Sequence, residues 1–132
     1  MSHWKKFSSN VLEDVNKEIL AKATADLGVG FDESITSIRN SWGNEAVSAG
    51  LTRNGKAIAL GFNFKQRNGK TALELSGDFF NTGLDERTFI DRLSQAYQKH
   101  KSIQALEQQG WIIDMTQTNA KGEVVLEAYQ WA

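Results

Sequence analysis

The clearest alternation of apolar and small or polar positions lies in residues 58–64. Its large apolar side chains are Ile58, Leu60, Phe62 and Phe64. Because successive side chains of a strand point to opposite faces, this period predicts a strand with one face in the core. Asn-Gly pairs flank the segment at positions 54–55 and 68–69, and a type I′ turn needs positive φ at both central residues. The pattern therefore predicts antiparallel neighbours on both sides of this strand.

Two other segments have the apolar spacing of helices. Asn10 and Glu13 have the spacing of a capping box, and apolar residues recur at helical intervals afterwards, which predicts a helix over residues 11–27. Asp85 is a predicted N-cap, with Leu84 and Phe89 placed as a hydrophobic staple. The second helix runs from there to Gly110, and the pattern leaves open whether it is continuous past residue 100.

The remaining segments complete an α+β pattern. Strands are predicted over residues 2–8, 35–42, 45–51, 71–80, 111–116 and 124–131. Residues 29–34 are predicted as a loop, positions 43–44 as a turn, and positions 119–122 as the last hairpin turn. We therefore expect one α+β domain over residues 1–132, with a single-layer antiparallel sheet of about six or seven strands in the order β-α-β-β-β-β-α-β-β. Both helices should pack on one face.

The other face of this sheet is predicted to carry small side chains. It includes Ala46, Ser48, Gly50, Ala57, Ala59, Gly61, Ala72 and Ser76. Two interpretations are open. In the first, the chain covers this face itself or leaves it as a neutral surface in water; in the second, the face docks a second copy or another protein. In the docking alternative, the contact residues would be Ser48, Ala59, Gly61 and Ser76. Trp42 and Trp131 are the tryptophans expected to be exposed and to contact the same partner.

Composition excludes several classes of site. The chain has 132 residues, 15 basic and 16 acidic residues, a net charge of -1 and no cysteine. Thiolate nucleophiles and zinc-thiolate sites are therefore excluded, and no global field draws the protein to nucleic acid or anionic lipid. No apolar run approaches the roughly 18 residues of a membrane span. We expect a soluble, untargeted cytoplasmic protein without a cofactor, for which nucleic-acid binding is unlikely and membrane binding is not expected.

One group of side chains could carry acid-base chemistry. His100 follows Tyr97 by one helical turn, and Asp78 lies near the end of the segment 71–80. A histidine and a carboxylate can act as an acid-base pair if the fold brings them together. The alternative is a partly buried histidine with ordinary hydrogen bonds and an aspartate that accepts hydrogen bonds in its turn. No phosphate loop, HExxH or GxSxG motif accompanies them, and no metal site is expected.

Several short motifs, in order, resemble a known family. They are Leu60-Gly61-Phe62, Gly77-Asp78-Phe79-Phe80, Gln95-Ala96-Tyr97-Gln98-Lys99-His100 and Gln109-Gly110-Trp111, with Met1-Ser2-His3-Trp4 at the start and Tyr129-Gln130-Trp131 at the end. Together they resemble the hypothetical chloroplast reading frame thirty-five family of plastid, cyanobacterial and bacterial proteins of unknown function. The family has Ala-Asp-Trp-Trp at 77–80 and Gln-Arg-Tyr-Ala-Tyr-His at 95–100, so this chain departs from it there.

The resemblance implies an accessory protein, with an AAA-type ATPase as a partner by analogy, and it implies no activity. Our hypothesis is a non-catalytic protein-interaction or accessory module. It would dock a partner, or a second copy as a homodimer, through the sheet face or edge. The alternative is a small enzyme or ligand-binding domain with a pocket around His100, Tyr97 and Asp78.

Overall fold

The computed structural model describes residues 5–8, 14–40, 43–77, 79, 82–118 and 124–130. Within these ranges the chain forms nine strands and two helices. In chain order they are β1 (Lys5–Ser8), α1 (Lys17–Asp26), β2 (Val29–Asp32), β3 (Ser37–Asn40), β4 (Gly43–Ala46), β5 (Ala49–Arg53), β6 (Lys56–Arg67), β7 (Lys70–Gly77), α2 (Glu86–Gln108), β8 (Trp111–Thr118) and β9 (Val124–Gln130).

The main sheet has five antiparallel strands in the order β1-β7-β6-β5-β2. Its centre is β6, which pairs with β5 on one side and β7 on the other, as the alternation predicted. Both Asn-Gly pairs form the predicted turns, with φ of 54° at Asn54 and 52° at Asn68. The two turns therefore place β5, β6 and β7 side by side.

Both helices pack on one face of this sheet, which confirms the predicted α+β class. Leu60, Phe62, Leu73 and Leu75 of the sheet are buried in one cluster with helical side chains. The helical members of that cluster include Ile19, Leu20, Ala23, Phe89, Leu93, Ala96 and Tyr97. The core therefore lies between the two helices and the apolar face of β6 and β7.

Helix α1 begins later than predicted, at Lys17, while the proposed capping box at residues 10 and 13 lies outside the described residues. The N-cap is Asn16, whose side chain accepts hydrogen bonds from the backbone N–H groups of Glu18 and Ile19. The preceding N–H, that of Val15, donates to Thr71 O at 2.7 Å. Because β7 uses this backbone group, the chain becomes helical only after Asn16.

Helix α2 has the predicted cap, since Asp85 accepts a hydrogen bond from the N–H of Thr88. The helix is continuous through His100 to Gln108, which answers the question that the pattern left open. Among the described residues, no helix is both long and apolar enough to cross a membrane.

The strands divide differently from the prediction. Residues 29–32, predicted as loop, form the edge strand β2 against β5. The predicted strand over 45–51 is divided between β4 and β5, and Gly43 and Asn44 pair in β4 instead of forming a turn. The division occurs because Val47 N donates to Thr36 O, whereas Ser48 N donates to Phe62 O in the main sheet.

Two smaller sheets therefore accompany the main one in the described part of the chain, in place of one single layer. They are the hairpins β3-β4 and β8-β9, each of two strands. The second is the predicted final hairpin, and its strands extend to Thr118 and end at Gln130. Its turn at 119–122 lies outside the described residues, as do residues 2–4 of the first predicted strand.

Candidate functional site

The chain itself covers the part of the small-residue face around Gly50 and Gly61. A Cβ atom added to Gly61 would lie 2.5 Å from Cγ1 of Val47 and 3.1 Å from the carbonyl oxygen of Ala49. A Cβ atom at Gly50 would collide with the side chain of Ile35. The segment that enters and leaves the β3-β4 hairpin therefore fills the space that the two glycines leave open.

A short polar network fixes this cover to the sheet. The side-chain amide of Asn63 donates to Ser76 Oγ at 2.9 Å, and its oxygen accepts from the N–H of Ser48 at 3.2 Å. The hydroxyl of Ser48 in turn accepts from the N–H of Phe64 at 3.1 Å. Because Asn63 and Ser76 are buried, these bonds satisfy groups that water does not reach.

The residues predicted to contact a partner differ in their position relative to this cover. Gly61 is buried and Ser76 is 1% exposed, so both lie beneath the cover in this chain. Ala59 is half-buried and lies at its margin, whereas Ser48 is exposed and belongs to the cover itself. Trp42 and Trp131 lie outside the described residues. At Gly50 and Gly61, the chain therefore covers the face itself.

Tyr97 is a core residue whose hydroxyl binds backbone. The side chain is 1% exposed, and its hydroxyl accepts from Asn16 N–H at 2.9 Å. The same hydroxyl donates to Asp14 O at 3.4 Å. Tyr97 therefore connects α2 to the residues immediately before α1.

His100 binds the opposite end of α1. Its Nε2 lies 2.8 Å from Asp26 Oδ2, and Lys99 Nζ lies 2.5 Å from the same oxygen. Burial alone would raise the pKa of Asp26, but hydrogen bonds from Lys99 and His100, together with their positive charge, lower it below its usual value. Asp26 therefore acts as an anionic contact between the two helices.

The structure does not bring Tyr97 and His100 to one point. Tyr97 contacts Asn16, the N-cap of α1, whereas His100 contacts Asp26, the last residue of that helix. A helix of ten residues is about 15 Å long, so the two contacts lie at opposite ends of α1. Asp78, the third predicted member, lies outside the described residues.

A cavity of about 310 Å³ between the helices is lined by Asp26 and Arg92 but by neither Tyr97 nor His100. The described residues also contain no cluster of three or more metal-ligating side chains.

The C-terminal hairpin β8-β9 has a different surface, which sequence reasoning did not select. Its exposed face presents Val125 and Tyr129, which are 49% and 46% exposed. Among the described residues these two are the large hydrophobic side chains with high exposure. An apolar surface of this kind is typical of a site that contacts another molecule.

Both faces of this hairpin carry apolar residues, and the sequence contains that signal. Ile112 lies opposite Tyr129, whereas Ile113 lies opposite Ala128 on the other face. Helix α2 contacts both strands, β8 more extensively than β9. Val125, Glu127 and Tyr129 of β9 are exposed, whereas Leu126 and Ala128 between them are half-buried, so one face of the hairpin is more exposed than the other.

The fold thus defines a small antiparallel α+β domain in which helices cover one face of the main sheet and the segments around the β3-β4 hairpin cover part of the other. Residues 23–126 match a family described as "Protein of unknown function (DUF1257)". The chain belongs to this uncharacterised family, because the match spans most of its length. Comparisons with curated proteins and with solved structures find no match.

Proposed function

We propose that the protein is a non-catalytic interaction or accessory module that docks a protein partner through the β8-β9 hairpin. The observation that supports this choice is the exposure of Val125 and Tyr129 on one face of β9. The small-residue face of the main sheet is a weaker candidate, because Val47 occupies the space above Gly61. The proposed docking surface is thus still a sheet surface, but it lies on the C-terminal hairpin instead of the main sheet.

The distribution of burial supports the same choice. Every described apolar side chain after Tyr97 is half-buried or exposed, whereas the cluster that ends at Tyr97 is buried. A two-stranded hairpin is marginally stable by itself and is stabilised by packing against other elements. A partner on the exposed face of β8-β9 would add packing of this kind.

We also propose that the chain is a divergent relative of the hypothetical chloroplast reading frame thirty-five family, on the motifs given above. That resemblance implies an accessory role and an AAA-type ATPase as the partner. The cytoplasmic location is proposed separately, from the composition without cysteine. A homodimer is the alternative assembly, in which a second copy occupies the same hairpin. Light scattering separates the two, because the accessory role predicts a monomer when the partner is absent.

The proposal is tested by affinity capture from the native cell with three baits. They are the wild-type chain, the double variant Val125→Ser/Tyr129→Ser, and the variant Ala57→Lys. Ala57 is exposed on the small-residue side of β6, so its substitution places a charge at the margin of the other candidate face. We expect the wild type and Ala57→Lys to retain the same partner and the double variant to lose it.

The opposite pattern would contradict the proposal. If the double variant retains the partner and Ala57→Lys loses it, the docking surface is the main sheet face. Circular dichroism and the denaturation midpoint of each bait serve as controls, since an exposed substitution should leave both nearly unchanged.

A further inference from the structure

The strand β9 has one open edge in the described part of the chain. It pairs with β8 on one side, and the sheet that they form has two strands. An unpaired edge presents backbone N–H and C=O groups that can bind another extended chain. The side chains of Val125, Glu127 and Tyr129 in β9 are exposed, which leaves this strand accessible to an added chain.

The charged residues within the two strands of the hairpin are of one sign. Its strands contain Asp114 and Glu127 and no basic residue. Along the exposed side of β9, Glu127 lies between Val125 and Tyr129, so the order is apolar, acidic, apolar. This row has the period of a strand, so an added strand would place its own alternate side chains opposite these three.

The same row disfavours pairing with a second copy. An antiparallel pairing of two β9 strands that sets Val125 against Tyr129 also sets Glu127 against Glu127. Like charges directly opposite each other are destabilising, whereas opposite charges stabilise the pair. A charged residue in the middle of an edge strand is also a common protection against self-association. The row therefore favours a strand with a basic residue at its centre over its own copy.

We propose that β9 binds an extended segment of a partner protein by antiparallel strand addition, with a lysine or arginine opposite Glu127 and apolar residues opposite Val125 and Tyr129. This inference rests on the proposed docking function of the hairpin and names the chemistry of the partner. Backbone hydrogen bonds supply the affinity, and the alternate side chains supply the specificity.

The test uses two short blocked peptides, each with a fluorophore, and fluorescence anisotropy. The first is Thr-Val-Thr-Lys-Thr-Val-Thr, and the second has Glu in place of Lys. We expect the wild-type protein to bind the Lys peptide about fivefold more tightly than the Glu peptide, as one opposite-charge pair of about 1 kcal/mol implies. Glu127→Lys should reverse this preference. Glu107→Lys, a control of equal charge change on exposed α2 surface, should preserve it.

A third peptide tests the strand geometry. It is the Lys peptide with N-methyl groups on the backbone nitrogens that face β9, which removes those hydrogen bonds and leaves the side chains. Strand addition predicts that this peptide loses binding. If it binds as well as its parent, or if Glu127→Lys leaves the preference unchanged, the strand-addition proposal is wrong.

Two further outcomes would also overturn it. One is that neither peptide binds. The other is that the wild-type protein is a dimer that Val125→Ser separates and the Lys peptide does not, which would make a second copy the occupant. A different result would contradict the proposed docking function, namely that the double variant Val125→Ser/Tyr129→Ser still captures the native partner.

Discussion

Tyr97 shows how one side chain couples two elements that lie far apart in the chain. Its ring belongs to the core, and its hydroxyl accepts the N–H of Asn16, the residue that caps α1. The N–H groups before a helix are groups that the helix itself does not satisfy. The hydroxyl of Tyr97 therefore has a structural role that explains its burial without catalysis.

Tyr97→Phe tests this role. The substitution keeps the ring and removes the acceptor for Asn16 N–H, so a partly buried donor loses its partner. We expect the free energy of unfolding to fall by about 1 to 2 kcal/mol, as for other buried donors left unpaired. Urea denaturation measures it, with an unchanged m-value as the control for an intact fold. An unchanged midpoint would contradict the role assigned to the hydroxyl.

Asp26→Asn tests the contact between Asp26, Lys99 and His100 as a function of pH. The pKa of Asp26 is lowered from 3.8 in the folded state, so its stabilising effect is present above 3.8 and is lost as the pH falls through the folded value. We expect the variant to be less stable at about pH 5, by no more than about 1 kcal/mol, because about a third of the side chain is exposed and screened. The difference should shrink below pH 3.8.

The control for this contact is the same substitution in a chain that also carries Lys99→Met and His100→Gln. Without the two cations, Asp26→Asn should change the free energy of unfolding little at about pH 5. An equal loss of stability in both backgrounds would show that Asp26 acts through other groups.

At the scale of elements, the connections around the β3-β4 hairpin act as a cover on the main sheet. Val47 lies above Gly61 and Ile35 lies above Gly50, while Asn63 binds Ser48 from below. Glycine at 50 and 61 thus permits close approach of the cover, which larger side chains would prevent. The two glycines of this face are therefore explained by packing within the chain.

Gly61→Ala tests the cover. The new methyl group would lie 2.5 Å from Val47 Cγ1, so the cover has to move, and we expect a loss of about 1 to 3 kcal/mol from overpacking. Adding Val47→Ala should restore part of this loss, since the two sites share one space. Ala57→Ser, on the exposed part of the same strand, is the control, with an expected change within about 0.5 kcal/mol. Wild-type stability of Gly61→Ala would mean that Val47 does not pack on this glycine.

The elements that local signals specify could be predicted from the sequence. The turns at Asn54 and Asn68 fixed the neighbours of β6, and Asp85 fixed the start of α2. The start of α1 could not be predicted, because it depends on the hydrogen bond from Val15 to Thr71, more than fifty residues away. The same limit applies to β2, a four-residue edge strand whose pairing with β5 decides its conformation.

At the scale of the whole molecule, the candidate site differs from the sequence hypothesis because burial depends on which elements meet. The sequence pattern correctly predicts that Gly61 and Ser76 lie on the face of the main sheet away from the helices. Only the fold shows that the chain covers these two residues. The opposite holds for Val125 and Tyr129, two large apolar side chains whose exposure only the fold shows. A single hydrophobic core thus ends at Tyr97, and an apolar, acidic hairpin follows it.

Hydrogen exchange, followed by mass spectrometry on the protein alone and with its captured partner, tests the docking role of this hairpin most directly. In the protein alone we expect slow exchange in β5, β6 and β7, at the centre of the main sheet, and faster exchange in β8 and β9. With the partner bound, exchange in β9 should slow, while exchange in β3, β4 and β5 stays the same. Slowing confined to β3, β4 and β5, with β9 unchanged, would contradict the account.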